Sequence, residues 1–541
     1  MPPRFFALSL TTFLVLFLSF APCAVSQTNS DHFDLHGKVI NAVTGEPISG
    51  ALVQLSSQQV QFTQSDGSFT FANLPRGPFA IQTKKPGFFS DFEFGRGNPW
   101  MSAETAMQGD VIVKLNPEGI IFGQLKNENG DPIEGATVKL QRWQVESGHR
   151  QLRSLAQTST SDEGNFRFAE LTPGKYYLSF APPDRGARIV NELRRRKHDD
   201  QGYGSQFYPG TPDIAAASAL QVRPGSQLHI AQVLSRQRLF EIAGVVRGAG
   251  PQSGFDFNLV NSLGEPVPLN VHLNSNTGEF QIADIPAGSY FLSATFFPPS
   301  NDPPGSGPPP LTAILPVRVS TDLSGLVLSL APAIQAVVQL RDEIQPDAIS
   351  NNFHQVFLNL LPKEFSQNGP SIAVPQSPGA PSFPSRFENL APGTYSVLAF
   401  PNGSGYISEL RCGSVDLLRD DLTIAPGSPP PPIEVTLRGD IAQLTAALMD
   451  AGKPATFVIY SQEYPRRSLL LPIAYNAVSA NIQNLPPGTY LVFALNDASE
   501  LEFHNPAAVE PYLKRATTVT LQPGDNTAIR VELQQSQEPQ P

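Results

Sequence analysis

The chain has 541 residues, a net charge of −11 and only 16% charged residues, an acidic balance that excludes an electrostatic nucleic-acid binder. Apolar residues make up 40%, too many for a disordered chain, while 53 prolines and 42 glycines describe a turn-rich one. Two cysteines, Cys23 and Cys412, exclude a disulfide framework, so stability must come from burial.

The first segment reads as a secretory signal. Arg4 precedes an apolar run from Phe5 to Phe20, and Ala24 and Ser26 supply the small residues for a cut after Ser26. The run is short for a membrane span, which takes about 20 residues. Cys23 opens a lipoprotein alternative, against which Pro22 stands. Only Cys412 remains in a chain cut there, and it is expected to pack as an apolar side chain.

A short phrase then returns five times. It reads Phe71-Ala-Asn-Leu74-Pro-Arg-Gly77-Pro-Phe79, then Phe168-Ala-Glu-Leu171-Thr-Pro-Gly174-Lys-Tyr176, then Ile282-Ala-Asp-Ile285-Pro-Ala-Gly288-Ser-Tyr290. Phe387-Glu-Asn-Leu390-Ala-Pro-Gly393-Thr-Tyr395 and Ile482-Gln-Asn-Leu485-Pro-Pro-Gly488-Thr-Tyr490 complete the set. The phrases are spaced by 97, 114, 105 and 95 residues, the length of one small β-sandwich. Paired phenylalanines two apart, Phe69 with Phe71 and Phe166 with Phe168, mark one face of a strand. The Pro/Gly pair is expected to reverse the chain, with glycine at positive φ, into a hairpin closed by the following aromatic strand.

The expected fold is all-β: a tandem array of about five antiparallel immunoglobulin-like or prealbumin-like sandwiches after a signal peptide. The expected boundaries are 1–26 for the signal, 27–117, 118–237, 238–332, 333–438 and 439–536 for the sandwiches, and 537–541 for a tail. Residues 183–206 form an inserted loop in the second sandwich. It carries Arg194-Arg-Arg-Lys197, read as a solvated run, with contact to an anionic surface polymer as the alternative. Residues 298–310, 367–386 and 426–432 are Pro/Gly/Ser-rich surface loops.

Before the phrase, the first two repeats share more. Gly45-Glu-Pro47-Ile48-Ser-Gly50-Ala51 matches Gly130-Asp-Pro132-Ile133-Glu-Gly135-Ala136, and alternating strands follow. Turns at Asp66-Gly67, Asp162-Glu-Gly164 and Asn276-Thr-Gly278 are hairpin signals. With Thr63 and Thr160 placed ahead of the first two turns, this order resembles the carboxypeptidase regulatory-like domain, a transthyretin-like sandwich grouped with carbohydrate-binding-like and collagen-binding B-type folds. Repeat three carries the pattern partly, and repeats four and five keep only its second half. The whole resembles multi-repeat secreted bacterial proteins. The resemblance implies a fold, not a reaction. Through collagen-binding relatives it also implies a possible Lys–Asn cross-link, for which Lys38 is the available lysine; a solvent-facing Lys38 is the plainer reading.

Chemistry is sought in vain among the motifs. The eight histidines lack a Glu three positions on and lack a His-Glu-x-x-His pair, and His32 and His36 precede a strand rather than lie on a helix. There is no Gly-x-Ser-x-Gly elbow, no Cys-x-x-Cys and no phosphate loop. No catalytic residue, cofactor or metal ligand is therefore expected. The suggestive feature is aromatic: Phe88, Phe89, Phe92, Phe94 and Trp100 crowd one segment. Exposed, they would be ligand-stacking residues for sugar rings; buried, they would seal a core or junction. Phe207-Tyr208-Pro-Gly210 poses the same choice.

The expected function is a secreted, non-catalytic, structural or adhesive scaffold at the cell envelope, periplasmic or on the bacterial surface. The alternative is a carbohydrate-binding array that recognises polysaccharide, and a third reading is an accessory to a separate peptidase. The expected partner is a polysaccharide or a cell-surface protein. No nucleic acid and no membrane span in the processed chain are expected.

Overall fold

The structure is a computed structural model that describes residues 32–55, 59–90, 93, 100–146, 148–183, 200–248, 255–298, 309–344, 354–363, 370–375, 385–449, 455–473 and 479–537. The signal segment, the basic run Arg194–Lys197, Phe92 and Phe94 lie outside the described residues. The fold is all-β, and the described residues form ten sheets that face each other in pairs. Five apolar clusters fill the spaces between them, one for each repeat of the phrase.

The units share one plan. In unit one the first strand, His32–Asn41, lies between Ser68–Pro75, antiparallel, and Val111–Pro117, parallel. Unit two repeats it with Gly119–Lys126 between Asn165–Leu171 and Gln227–Val233. Arg236–Arg247, Ile334–Asp342 and Ala442–Leu448 hold the same central place in units three to five. In each unit a parallel pair thus joins the first strand to a late one; the other pairs are antiparallel, except that Gly488–Leu495 of unit five also runs parallel to Leu533–Gln534. Alternation explains the burial: Leu35 and Val39, like Ile121 and Leu125, point inward and are fully covered.

The recurring phrase is a crossing, not a hairpin. Ser68–Pro75 pairs with the first strand, but the next strand, Pro78–Lys84, belongs to the opposite sheet and pairs with Leu52–Leu55. Asn165–Leu171 and Gly174–Ala181 in unit two are divided between sheets in the same way, as are the corresponding strands of the other units. The glycine of the phrase has a positive φ in four of the units, 157° at Gly77 and Gly174, 154° at Gly393 and 155° at Gly488, but a second residue lies in the left-handed helical region. It is the residue before the Leu or Ile: Asn73, Glu170, Asp284, Asn389 and Asn484 have φ of 57°, 56°, 69°, 57° and 59°. Asn and Asp tolerate this region better than other side chains with a Cβ; Glu170 adopts it without that advantage. At each of these positions the ladder with the first strand shifts register, so the strand kinks as it leaves its sheet.

A tyrosine hydroxyl ties the crossing in units two to five. Tyr176 donates to the Thr172 carbonyl at 2.7 Å, Tyr290 to Pro286 at 2.9 Å, Tyr395 to Ala391 at 2.7 Å and Tyr490 to Pro486 at 2.7 Å. Unit one has Phe79 in this place, which packs on Phe33 at 5.8 Å between ring centroids and leaves the tie unmade.

The motifs shared by units one and two meet in space. The Thr63 hydroxyl donates to the Ile48 carbonyl and accepts from the Ala51 N–H; Thr160 does the same with Ile133 and Ala136. Gly67, Gly164 and Gly278 sit at φ near 75°, and a Cβ on any of them would lie 2.4–2.6 Å from the carbonyl oxygen of Val39, Leu125 or Val246. Only glycine allows that approach. The turn at Gly278 closes a true hairpin, Asn270–Asn274 with Glu279–Pro286. The turns at Gly67 and Gly164 lead from one sheet to the other.

Unit five adds a helix, Pro506–Leu513, capped by the Asn505 side chain. Val509 and Tyr512 bury against Val458, Tyr460 and Phe493 on the outer face of its sheet, with Tyr512 stacked on Phe493 at 5.5 Å. No helix of the described residues is long and apolar enough to cross a membrane.

The crossings give the fold a signature at alkaline pH. Burial pushes the Tyr290 hydroxyl up to about 12 and raises Tyr490 as well. Below about pH 10 both the folded and unfolded chains keep these protons, and stability is flat. Between about 10 and 12 the unfolded chain ionises while folded Tyr290 does not. Stability should fall as pH rises through that window, by up to about 1.4 kcal/mol per pH unit for each tyrosine. Tyr290→Phe should cost unit three about 1 kcal/mol at neutral pH and remove its share of the alkaline slope. Urea titrations between pH 9 and 12 measure both; an unchanged slope in the variant counts against the assignment.

Candidate functional site

The functional geometry of this chain lies where units meet. Unit two carries a hairpin longer than its core requires: Thr137–Glu146 pairs with His149–Ser159 over ten residue pairs. Its inner half covers the core through Val138 and Leu140. Its outer half reaches unit five. The Val145 N–H donates to the Ser499 carbonyl at 3.2 Å, the Arg150 N–H to the Glu502 carboxylate at 3.1 Å, and the Arg150 guanidinium to Glu500 at 3.2 Å. Arg150 also lies over the Trp143 ring, 4.6 Å from its centroid, which fixes the planar fork between an aromatic face and a carboxylate. Gly148, at φ 79°, lies so near His504 that a Cβ there would stand 2.0 Å from the ring Nδ1. On its flank the same hairpin holds unit three, where Lys139 and the Gln141 side-chain amide both donate to Glu265, at 2.9 and 3.2 Å.

Units four and five are joined by arginines. The turn Pro465–Arg467 projects two of them into unit four. Arg467 donates to the carbonyls of Ile407 and Ser408, both at 2.8 Å, and burial pulls its guanidinium below the usual arginine value. Arg466 donates to the Leu417 carbonyl at 2.8 Å and pairs with Asp421. Tyr464 is sandwiched between Arg467 and Arg419, at 4.2 and 4.5 Å. Unit two therefore touches units three and five, and unit five touches units four and two: the array folds back on itself instead of running out as a rod.

The aromatic segment singled out in the sequence is divided. Phe88 lies on the short strand Phe88–Ser90, pairs with Pro117 and packs against the core of unit one. Phe89, half-buried, is its neighbour on the opposite face of that strand. Trp100 pairs by its backbone with Ala80. Phe92 and Phe94 lie outside the described residues. Phe207 is buried and Tyr208 packs against the core of unit two, so that segment is structural. Cys412 is buried, donates its thiol to the Pro431 carbonyl and has its ionisation pushed up by that burial. Lys38 is half-buried on the first strand of unit one. Among the described residues no group of three or more His, Cys, Asp or Glu side chains is placed to share a metal.

The contact residues Trp143, Arg150, Glu500, Glu502, Tyr464, Arg466 and Arg467 were not singled out in the sequence. One signal was available for the hairpin. The stretch from Thr137 to Ser159 is long for a core pair, and Trp143 is one of only two tryptophans.

Residues 34–91 and 120–199 match the carboxypeptidase regulatory-like domain family. These two matches fall on the first two units. The long hairpin belongs to the second of them. No curated protein sequence matches the chain. Among solved structures, the chain is similar to the Bacillus anthracis TIE protein, at 11% identity over 76% of this chain and 69% of that one, with a TM-score of 0.15. It is also similar to a streptococcal ancillary pilin, at 11% identity over 55% of this chain and 99% of that one, TM-score 0.18. The minor pilin GBS52 of Streptococcus agalactiae matches at 14% identity over 43% of this chain and 99% of that one, TM-score 0.19.

Two variants test the junctions. Trp143→Ala combined with Arg150→Ala should free unit two from unit five and leave each core intact. Distances between labels on units two and five should then lengthen and broaden, while the melting of unit two stays unchanged; an unaltered distance distribution would discard the contact. Arg467→Ala should cost the junction of units four and five about 2 kcal/mol, because two carbonyls lose a charged donor. Separate melting of those two units, where the parent chain melts them together, is the measurable result.

Proposed function

We propose that the chain is a secreted, non-catalytic scaffold of the cell envelope, whose five units, at 27–117, 118–237, 238–332, 333–438 and 439–536, fold separately and are latched into a fixed arrangement. The observation that carries this reading is the pair of contacts from distant parts of the sequence: the hairpin of unit two on unit five, and the arginine turn of unit five in unit four. A chain of independent sandwiches on free linkers would present its surfaces at variable distances. This one holds them at set distances, which is the work of a scaffold or an adhesive stalk. The apolar run after Arg4 supports export, and an exported chain with one remaining cysteine fits a fold held by burial alone. The absence of recognisable nucleophile, base or ligand motifs supports a non-catalytic role.

Force spectroscopy on residues 27–541 tests the arrangement. One early event should release the contact between units two and five. Five later events should follow, each lengthening the chain by roughly 300–400 Å, the extended reach of about 100 residues. One all-or-none rupture would show a single cooperative body. Peptidase and glycosidase assays, with and without zinc, should show no turnover; metal-dependent turnover would move the protein into the enzyme class. Fractionation of cells that express the full sequence should place the shortened chain outside the cytoplasm.

A further inference from the structure

We infer that the outer face of the three-stranded sheet in unit two is a binding site for a carboxylate-bearing saccharide, such as a uronate oligomer. The site is a groove of about 550 Å³ lined by Phe122, Thr158, Ser161, Asn165, Arg167 and His229, among others. Its central feature is a row across three strands. Arg167 on Asn165–Leu171 stands opposite Phe122 on Gly119–Lys126, and Phe122 stands opposite His229 on Gln227–Val233. All three belong to the solvent side of the sheet, since Ile121, Phe166, Phe168 and Ile230 take the core side.

The row has the parts that such a ligand needs. Phe122 and His229 meet edge to face at 5.2 Å, giving an aromatic surface at the groove floor. The ring face is electron-rich and attracts the slightly positive C–H groups on one face of a pyranose. Arg167 is exposed and makes no ion pair with any described residue. Its planar fork matches a carboxylate with two parallel N–H bonds, which a lysine cannot reproduce. In the antiparallel ladder Asn165 lies two residues from Arg167 on the same face. Its side-chain nitrogen is held by Glu163 at 2.9 Å, which leaves the amide oxygen to accept from a sugar hydroxyl. The Ser161 oxygen accepts from the Asn165 N–H at 3.1 Å, which leaves its own O–H to donate. Thr158 adds a further hydroxyl to the wall. Glu163 sets the direction of the ligand: the ligand carboxylate belongs at the Arg167 end, and neutral hydroxyls belong toward the Glu163 turn. Because the chain as a whole carries −11, bulk charge does not draw an acidic polymer to it, and the site must do so by local fit.

The inference is separate from the scaffold reading, since a scaffold without a ligand would have the same junctions. It is tested by calorimetric titration of residues 27–541 with tri-galacturonate, its carboxyl-reduced neutral counterpart and penta-glutamate. Saturable binding of tri-galacturonate tighter than about 1 mM is expected, with the reduced sugar and the peptide at least about tenfold weaker. Arg167→Gln should weaken the acidic sugar at least about tenfold, and Arg167→Lys should not restore it. His229→Ala should weaken both sugars several-fold. These side chains are on the solvent face, so the variants should melt with the parent chain, which separates lost binding from lost folding. Absence of saturation, undiminished binding by Arg167→Gln, or equal binding of penta-glutamate would each overturn the assignment.

Discussion

The crossing from one sheet to the other is the constraint on which the rest of each unit depends. A sandwich whose consecutive strands lie in opposite sheets must turn the chain through its edge without leaving buried backbone groups unpaired. Here a left-handed residue kinks the departing strand, Pro and Gly carry it over, and a tyrosine hydroxyl takes the carbonyl where that strand ends. The aromatic ring fills the core at the same time, so one side chain supplies both apolar burial and a hydrogen bond. Unit one shows how the two parts separate: Phe79 keeps the burial and forgoes the bond.

With the crossings fixed, loops at the ends of the sandwiches are free to vary, and the junctions are built from those loops and from one overlong hairpin. The contacts between units are mostly polar: arginines on carbonyls, carboxylates and aromatic faces, Lys139 and Gln141 on Glu265, and backbone pairing, with Tyr464 alone among these residues also packing on the core of unit four. A wide apolar seam would have required exposed hydrophobic surface on each unit before assembly, a liability for a chain of β-sandwiches. Planar guanidinium groups reach across while the stem covers the neighbour, and their five donors satisfy carbonyls that a sheet edge leaves free.

The same economy of surface describes unit two. Its core face is filled by phenylalanines, with Phe166 packed on Phe180 at 5.5 Å, and its solvent face carries the row of Arg167, Phe122 and His229. Alternation along each strand separates the two sets completely, so substitutions in the row leave the core alone. In unit five the helix Pro506–Leu513 covers the outer face of the other sheet, that of Ala455–Ser461 and Gly488–Leu495, whose counterpart in unit two carries the long hairpin.

Much of this was legible in the residues. The fivefold phrase, its spacing and the alternation of Val53 with Leu55 or Val138 with Leu140 determined the class of fold, the number of cores and many of the residues that fill them, because side-chain period and turn chemistry are local properties. The turns at Gly67, Gly164 and Gly278 were marked for the same reason. Partnership between strands was not local. Whether Pro78–Lys84 folds back on its predecessor or joins the opposite sheet depends on what lies across the core, so the expected hairpin is a crossing. The parallel pairing of each first strand with a late one joins residues about 75 to 110 positions apart, and the meeting of Arg150 with Glu500 spans 350. Nor could Arg167, Phe122 and His229 be grouped from their order in the chain, since three separate strands bring them into one row. The sequence by itself determined which face of each strand is buried; only the tertiary structure decided which strands are neighbours, because pairing is selected by the packing of whole sheets and not by any one of them.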